Sequence, residues 1–311
     1  MAIPLTIVGA EMLRAELHKL KTVERMRKLA DETLPLGYTV DYGTDGRAVD
    51  AVPPEGRTAV FLGDYVDRGP DSVGVLRLVM GMVAAGHAIA VPGNHENKLV
   101  KALRGKKVTA SHGLAETLEQ MATESAEFRE SVVDFCDGLV AHLVLDDGKL
   151  VVAHAGLKED YHNRASGRVR SFALYGETTG ETDEFGLPVR YPWAQDYRGS
   201  AMVLYGHTPV HEVEWINNTA CLDTGCVFGG SLTALRYPER EIVSVPAEQV
   251  WYEPVVPLAP WPRLTSTKAC FSYTPACPTD LPRQPQASIS QPAASLTLPS
   301  GAKVAETEPA K

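Results

Sequence analysis

Four short apolar runs in this sequence each stop at a polar cluster bounded by glycine, and few folds can use such a pattern. The clusters are Gly63-Asp64-Tyr65-Val66-Asp67-Arg68-Gly69, Gly93-Asn94-His95-Glu96, His154-Ala155-Gly156 and Gly206-His207-Thr208-Pro209. Layered α/β folds bind ligands outside the carboxyl ends of their strands, where loops can aim side chains at one crevice. Glycine lets those loops turn sharply and lets backbone come close to a ligand. One such cluster is weak evidence. Four in succession point to a single site.

The surrounding chain supports that placement. Residues 58–62 (TAVFL) are continuously apolar between Pro-Pro-Glu-Gly and Gly-Asp, the mark of a buried strand. Pro70-Asp71-Ser72 signals a helix start, with Val73, Leu76, Met80 and Val83 at helical spacing and Gly86 as the stop. Residues 5–8 and 88–91 read as strands, and 97–103 and 127–140 as helices, with a further helix after residue 8. Beyond Ala141 strands dominate. Residues 143–145 and 150–152 flank Asp146-Asp147-Gly148 as a hairpin, and strands recur at 202–205, 220–222, 231–236 and 242–245. This order predicts two packed sheets with helices outside. From about Pro254 the composition turns to Pro, Ala, Ser and Thr, which cannot bury enough surface to offset ordering entropy, so a disordered tail is expected over 254–311.

A carboxylate, an amide oxygen and two imidazoles make a mixed oxygen and nitrogen donor set suited to a first-row transition metal rather than Ca²⁺. Asp64, Asn94, His154 and His207 are therefore the candidate ligands. A metal so held lowers the pKa of bound water and polarises a phosphoryl oxygen. His95 is left free as a general acid, Asp67 can orient it and raise its pKa, and Arg68 offers a planar fork of donors for phosphate. The bland reading is that Asp-x-x-Asp-Arg-Gly-Pro is turn chemistry and that the histidines are core residues. It suffices for His18, His87, His112, His142, His162 and His211, with His112 at a helix start, but not for the whole set. Residues 177–182 read as a surface loop near the pocket, and Arg168 and Arg170 as weaker substrate contacts.

These clusters resemble the signature of the phosphoprotein-phosphatase branch of calcineurin-like metallophosphoesterases. Stretches outside them, among them PGNHENKLVKALRG (92–105) and FALYGETTGETDEFGLPVRYPWAQDYRG (172–199), resemble the phosphatase module of bacterial polynucleotide kinase-phosphatase. The resemblance implies an αββα sandwich over residues 37–253 behind a divergent strand and helix at 1–36. It also implies two metals and hydrolysis of 2′-, 3′- or cyclic phosphates at RNA or oligonucleotide ends. Asp64 would bridge both metals, with Mn²⁺ placed first and Ni²⁺, Co²⁺, Fe²⁺ or Zn²⁺ as alternatives. Asp223 would support the pocket from behind the ligands. Protein Ser/Thr phosphatase and dinucleoside-polyphosphate hydrolase are the alternative activities, since both share the metal motifs.

The departure is at the start. Where the family pattern reads Gly-Asp-x-His-Gly after its first strand, this chain places Ala10 and Met12 at the Asp and His positions. One intact metal site, a doubtful second site and reduced turnover follow as expectations, and an inactive truncated remnant acting as a binding module is the reading from another class. Glu11 is a substitute ligand to consider.

Composition closes off other classes. A net charge of −9 argues against a long nucleic-acid groove or attraction to an anionic membrane. No apolar run is long enough to span a bilayer, and no signal peptide is read. Five cysteines at irregular spacing give no disulfide framework or zinc pattern, so a reducing cytoplasm is expected, with Cys221 and Cys226 as buried thiols. No Gly-x-x-x-x-Gly-Lys-[Ser/Thr] occurs and the Pro-rich tail does not resemble the ligase-like module, so neither the kinase nor the ligase module of that family is expected in this chain.

Overall fold

The structure, a computed structural model, describes residues 3–6, 37–184 and 188–254. The expected N-terminal helix, residues Ala10, Glu11, Met12 and His18, and the expected disordered tail beyond Pro254 lie outside the described residues.

Period-two burial builds the layers. Strand β4 (Ala59–Phe61) is buried on both faces. Ala59 and Phe61 pack into one core with the helices, while Val60 and Leu62 enter a second core. Strand β7 (Leu150–Ala153) does the same from the other side: Leu150 and Val152 join the second core, and Val151 and Ala153 face a third. β10 (Met202–Tyr205) repeats the split, with Met202 and Leu204 inward and Val203 outward. Opposite side chains of one strand serve opposite layers because successive Cβ atoms alternate across a sheet. Each fully buried Val or Leu contributes about 1.5–3 kcal/mol.

The first sheet has the order β14 (Glu241–Pro246), β13 (Ser231–Tyr237), β1 (Ile3–Thr6), β4, β5 (Ala88–Ala90). The second runs β11 (Trp215–Ile216), β12 (Thr219–Cys221), β10, β7, β6 (His142–Leu145). Strands β1, β4 and β5 are mutually parallel, as are β7, β10 and β12, so their carboxyl ends carry connecting loops to one rim. Helices α1 (Ser72–Ala84), α2 (Asn94–Leu103), α3 (Leu114–Ala122) and α4 (Ala126–Gly138) cover the first sheet. Helix α5 (Gly167–Tyr175) and the short α6 (Trp193–Asp196) cover the second. This is the αββα sandwich.

Most expected elements fall where the sequence places them, with instructive differences. The first strand covers Ile3–Thr6, and residues 7 and 8 of the expected 5–8 strand lie outside the described residues. α2 begins at Asn94, three residues before the expected start, because Gly93 caps it and the Glu96 carboxylate reaches back to the Gly93 N–H at 2.6 Å. The expected loop at 177–182 is largely strand, β8 (Thr178–Thr182), paired with β9 (Pro188–Arg190). A hairpin of β2 (Thr39–Tyr42) and β3 (Ala48–Val52), closed around Gly43–Arg47, was not expected and packs Val40, Ala48 and Ala51 against α1.

Candidate metal centre

Each proposed ligand sits just past a parallel strand. Asp64 follows β4, Asn94 opens α2 after β5, His154 follows β7 directly, and His207 follows β10. The loops reach their positions through unusual backbone. Asp64, Asp67, Arg68 and His207 all have positive φ, at 57°, 72°, 62° and 74°. Each costs on the order of 1–3 kcal/mol and persists only where surroundings over-determine it. The glycines answer a contact. A Cβ on Gly63 would lie 2.4 Å from the Gly93 amide nitrogen, and one on Gly93 would lie 2.2 Å from Asp64 Oδ1. The first two clusters touch backbone to backbone, and only glycine fits between them.

The donor atoms converge. Those of Asp64, His154 and His207 all lie within 4.8 Å of one another. His154 Nε2 is 3.0 Å from Asn94 Oδ1, 3.0 Å from His207 Nδ1 and 3.3 Å from Asp64 Oδ1. His154 Nδ1 donates to the Leu62 carbonyl at 2.8 Å, which leaves Nε2 with its lone pair toward the cluster. Acceptor atoms facing one another fit a cation between them. The charges agree. Burial works against the Asp64 carboxylate, yet His154, His95, His207 and Arg68 hold its pKa down at about 2. Burial, then His154 and Arg190, push His207 well below the ordinary imidazole range, so it is neutral and free to ligate. The residues present fit a divalent transition metal.

The family model described as calcineurin-like phosphoesterase matches residues 41–211. The chain belongs to that family. It is therefore a phosphoesterase hydrolase. Its relatives include the asymmetrical bis(5′-nucleosyl)-tetraphosphatase PrpE of Anoxybacillus flavithermus, 47% identical over 200 residues, which are 63% of this chain and 82% of the relative. The proteins of that name from Geobacillus thermodenitrificans and Bacillus subtilis are 43% and 44% identical, over 71% and 68% of this chain and 89% and 86% of their own. The expected likeness to a polynucleotide kinase-phosphatase module gives way here, and hydrolysis of RNA ends is not supported. The four clusters carry donor types that suit metal and phosphate in general. They carry no information about what lies beyond the phosphate.

Beside the ligands stands a second set. His95 Nδ1 donates to Asp67 Oδ2 at 2.6 Å, and both side chains are buried. Burial alone would lower the His95 pKa, but Asp64 and the Asp67 hydrogen bond raise it. Asp67 is itself clamped: Thr117 Oγ1 donates to its Oδ1 at 2.7 Å, and its amide reaches Ser72 Oγ and Thr117 Oγ1, both at 3.1 Å. Arg68 lies 5.4 Å from the Phe228 ring centroid, with its Nε buried and unbonded among the described residues. Asp223 shares the same cleft with Asp64, Arg68 and His95, accepts the Gly225 N–H at 3.0 Å, and has its pKa raised by burial and by Asp64.

Three features escaped sequence reasoning. Glu96, fully buried, accepts N–H bonds from Gly93, Asp64 and Tyr65 at 2.6, 2.9 and 2.7 Å and so holds the first two clusters together. Burial and Asp64 push its pKa up to about 7, against the pull of those amides. It stood inside a quoted motif without a role. Arg190, not Arg168 or Arg170, borders the centre, in a cavity shared with His207. Arg170 instead donates to the Leu139 carbonyl at 3.3 Å, and Arg168 lies 5.9 Å from the Tyr161 ring. Gly113 is the third, since a Cβ there would lie 2.1 Å from the Arg68 amide nitrogen. Gly113→Ala must displace the Asp67-Arg68 turn, and activity is expected to fall about a hundredfold, as for ångström-scale misplacement elsewhere. Steady-state kinetics beside a thermal melt measures it, and kinetics equal to wild type would show that the turn yields without cost.

Proposed function

We propose that this chain is a divalent-metal-dependent hydrolase of dinucleoside polyphosphates, cleaving diadenosine tetraphosphate-like substrates into a nucleoside monophosphate and a nucleoside triphosphate. The observation that carries it is the convergence of Asp64, His154 and His207, with Asn94 alongside, in a chain 47% identical to a relative named as an asymmetrical tetraphosphatase. Asp64, Asn94, His154 and His207 hold the metal. When bound it lowers the pKa of water and polarises the phosphoryl oxygen. His95, oriented by Asp67, keeps a proton on Nε2 for the leaving oxygen. Arg68 faces the same cleft and supplies donors to a phosphate. Three buried cysteines outside any disulfide, Cys136, Cys221 and Cys226, fit a reducing compartment such as the cytoplasm. Among the described residues no helix is long and apolar enough to cross a membrane.

Incubating the protein with Mn²⁺ and diadenosine tetraphosphate, and separating products by chromatography, is expected to give AMP and ATP in equal amounts. Faster release of phosphate from a 3′-phosphorylated oligonucleotide, or from a phosphopeptide, would sink the assignment. The same assay addresses Ala10 and Met12. Restoring the family donors with Ala10→Asp and Met12→His is expected to raise turnover, because two metals clamp both the attacking and the leaving oxygen. No gain would show that one site suffices.

A further inference from the structure

Next to His207 the surface opens into a cavity of about 260 Å³ that the phosphate chemistry leaves unused. Its walls are aromatic. Trp193 and Tyr205 meet edge to face at 5.1 Å between centroids, and Trp193 is backed by Phe172 at 6.0 Å. Gly156 fixes the Trp193 ring from below, since a Cβ there would lie 2.0 Å from the indole. Tyr191, 39% exposed, forms the outer lip, and its hydroxyl donates to Asp196. Arg190 stands beside it, donating to the Tyr175 carbonyl. Ile216 lines it as well. These contacts hold the walls in place before any ligand arrives, so binding costs little ordering.

We propose that this cavity is a nucleoside subsite, and that it receives the nucleoside whose α-phosphorus is attacked; the inference rests on the dinucleoside-polyphosphate reading. A flat heteroaromatic base with polar edges is the ligand that an aromatic slot with a guanidinium at its rim recognises. The volume lies just below the roughly 300–1,000 Å³ of sites for drug-sized ligands, so it takes one nucleoside and not the whole substrate. Gly206, His207 and Thr208 line it too, which joins it directly to the metal cluster. A nucleoside seated there presents its own α-phosphate to Asp64, His154 and His207. With a net charge of −9, the chain grips a polyphosphate ester by stacking and by local cations, Arg190 here and Arg68 in the adjoining cleft, rather than by a basic groove.

The step balances as follows. The oxygen of water bonds to the α-phosphorus, and the bond from that phosphorus to the bridging oxygen breaks. The electron pair leaves with the terminal phosphate of ATP. His95 gives its Nε2 proton to that oxygen; one water proton is lost to solvent or restores His95, and the other remains with AMP or is lost to buffer. AMP therefore carries the oxygen from water.

Two variants and one isotope experiment test this. Tyr191→Ala removes the lip, and Ile216→Arg puts a bulky charged side chain on the cavity lining; circular dichroism melts establish that each is folded. The ratio of kcat/KM for diadenosine tetraphosphate to that for p-nitrophenyl phosphate is expected to fall about tenfold or more in both, in line with base stacking on an aromatic ring. AMP binding by calorimetry in EDTA, which removes the metal from the readout, is expected to weaken in parallel. Hydrolysis in ¹⁸O-water is expected to label AMP and leave ATP unlabelled. An unchanged ratio in both folded variants, or label in ATP, overturns the subsite. A wild-type protein that cleaves p-nitrophenyl phosphate but not diadenosine tetraphosphate overturns the underlying function instead, so the two failures are told apart.

Discussion

Replacing Asp64 by alanine is expected to lower kcat/KM for phosphoester hydrolysis by about a thousandfold, roughly 4 kcal/mol of transition-state stabilisation. Asp64 is the anionic member of the candidate ligand set, and its pKa is held at about 2 against the cost of burial, so the carboxylate stays charged. Without it the remaining donors are neutral, and a divalent cation loses most of the charge that holds it. Titration calorimetry with Mn²⁺ should therefore show tight binding in wild type and none in the variant. The fold should persist. Asp64 is only partly buried, and its side chain is held by a long 3.5 Å contact from the His95 amide and a 3.3 Å contact with His154 Nε2. A thermal melt in EDTA unchanged from wild type, beside lost activity and lost Mn²⁺ binding, is the expected combination. Retained activity would mean that the cluster is not the reaction centre.

Glu96→Ala should do the opposite and damage the fold first. The carboxylate is fully buried and accepts three backbone N–H groups from two different loops. Alanine leaves those donors in a space without partners, at about 1–3 kcal/mol each. A loss on the order of 4 kcal/mol is expected, which for a domain of this size lowers Tm by roughly 8–16 °C. Chemical denaturation would report the same loss as a shifted midpoint with an unchanged slope. Activity falls too, since Asp64 and Gly93 would no longer be held together. Glu96→Gln keeps the volume and one acceptor, so its stability should lie between the two. If Glu96→Ala melts like wild type, the loops are held by their glycine contact alone.

Much of the architecture was legible because it depends on local spacing. The run Ala59-Val60-Phe61 reads as a buried strand from its own composition, and Asp71 reads as a helix cap, which its bond to the Gly74 amide at 3.1 Å realises. Two differences come from short-range pairings that propensity and periodicity do not register: Glu96 caps α2 from three residues on and starts it early, and residues 178–182 become a strand because 188–190 pair with them. Substrate identity was misplaced for a related reason: phosphate and metal motifs are the same for many esters, and the likeness outside them was assigned to a repair enzyme.

The order of donors along the chain, their chemistry and the strands that precede them were determined by the sequence itself, because glycine, imidazole and carboxylate in fixed short spacings have few other uses. Only the tertiary structure decided what stands around them. Glu96 binds an amide thirty-two residues away, Thr117 clamps Asp67 across fifty, and Tyr191, Trp193 and Tyr205 close a cavity beside His207. Such contacts have no period and no motif, because two chain segments meet in them only after both sheets have packed.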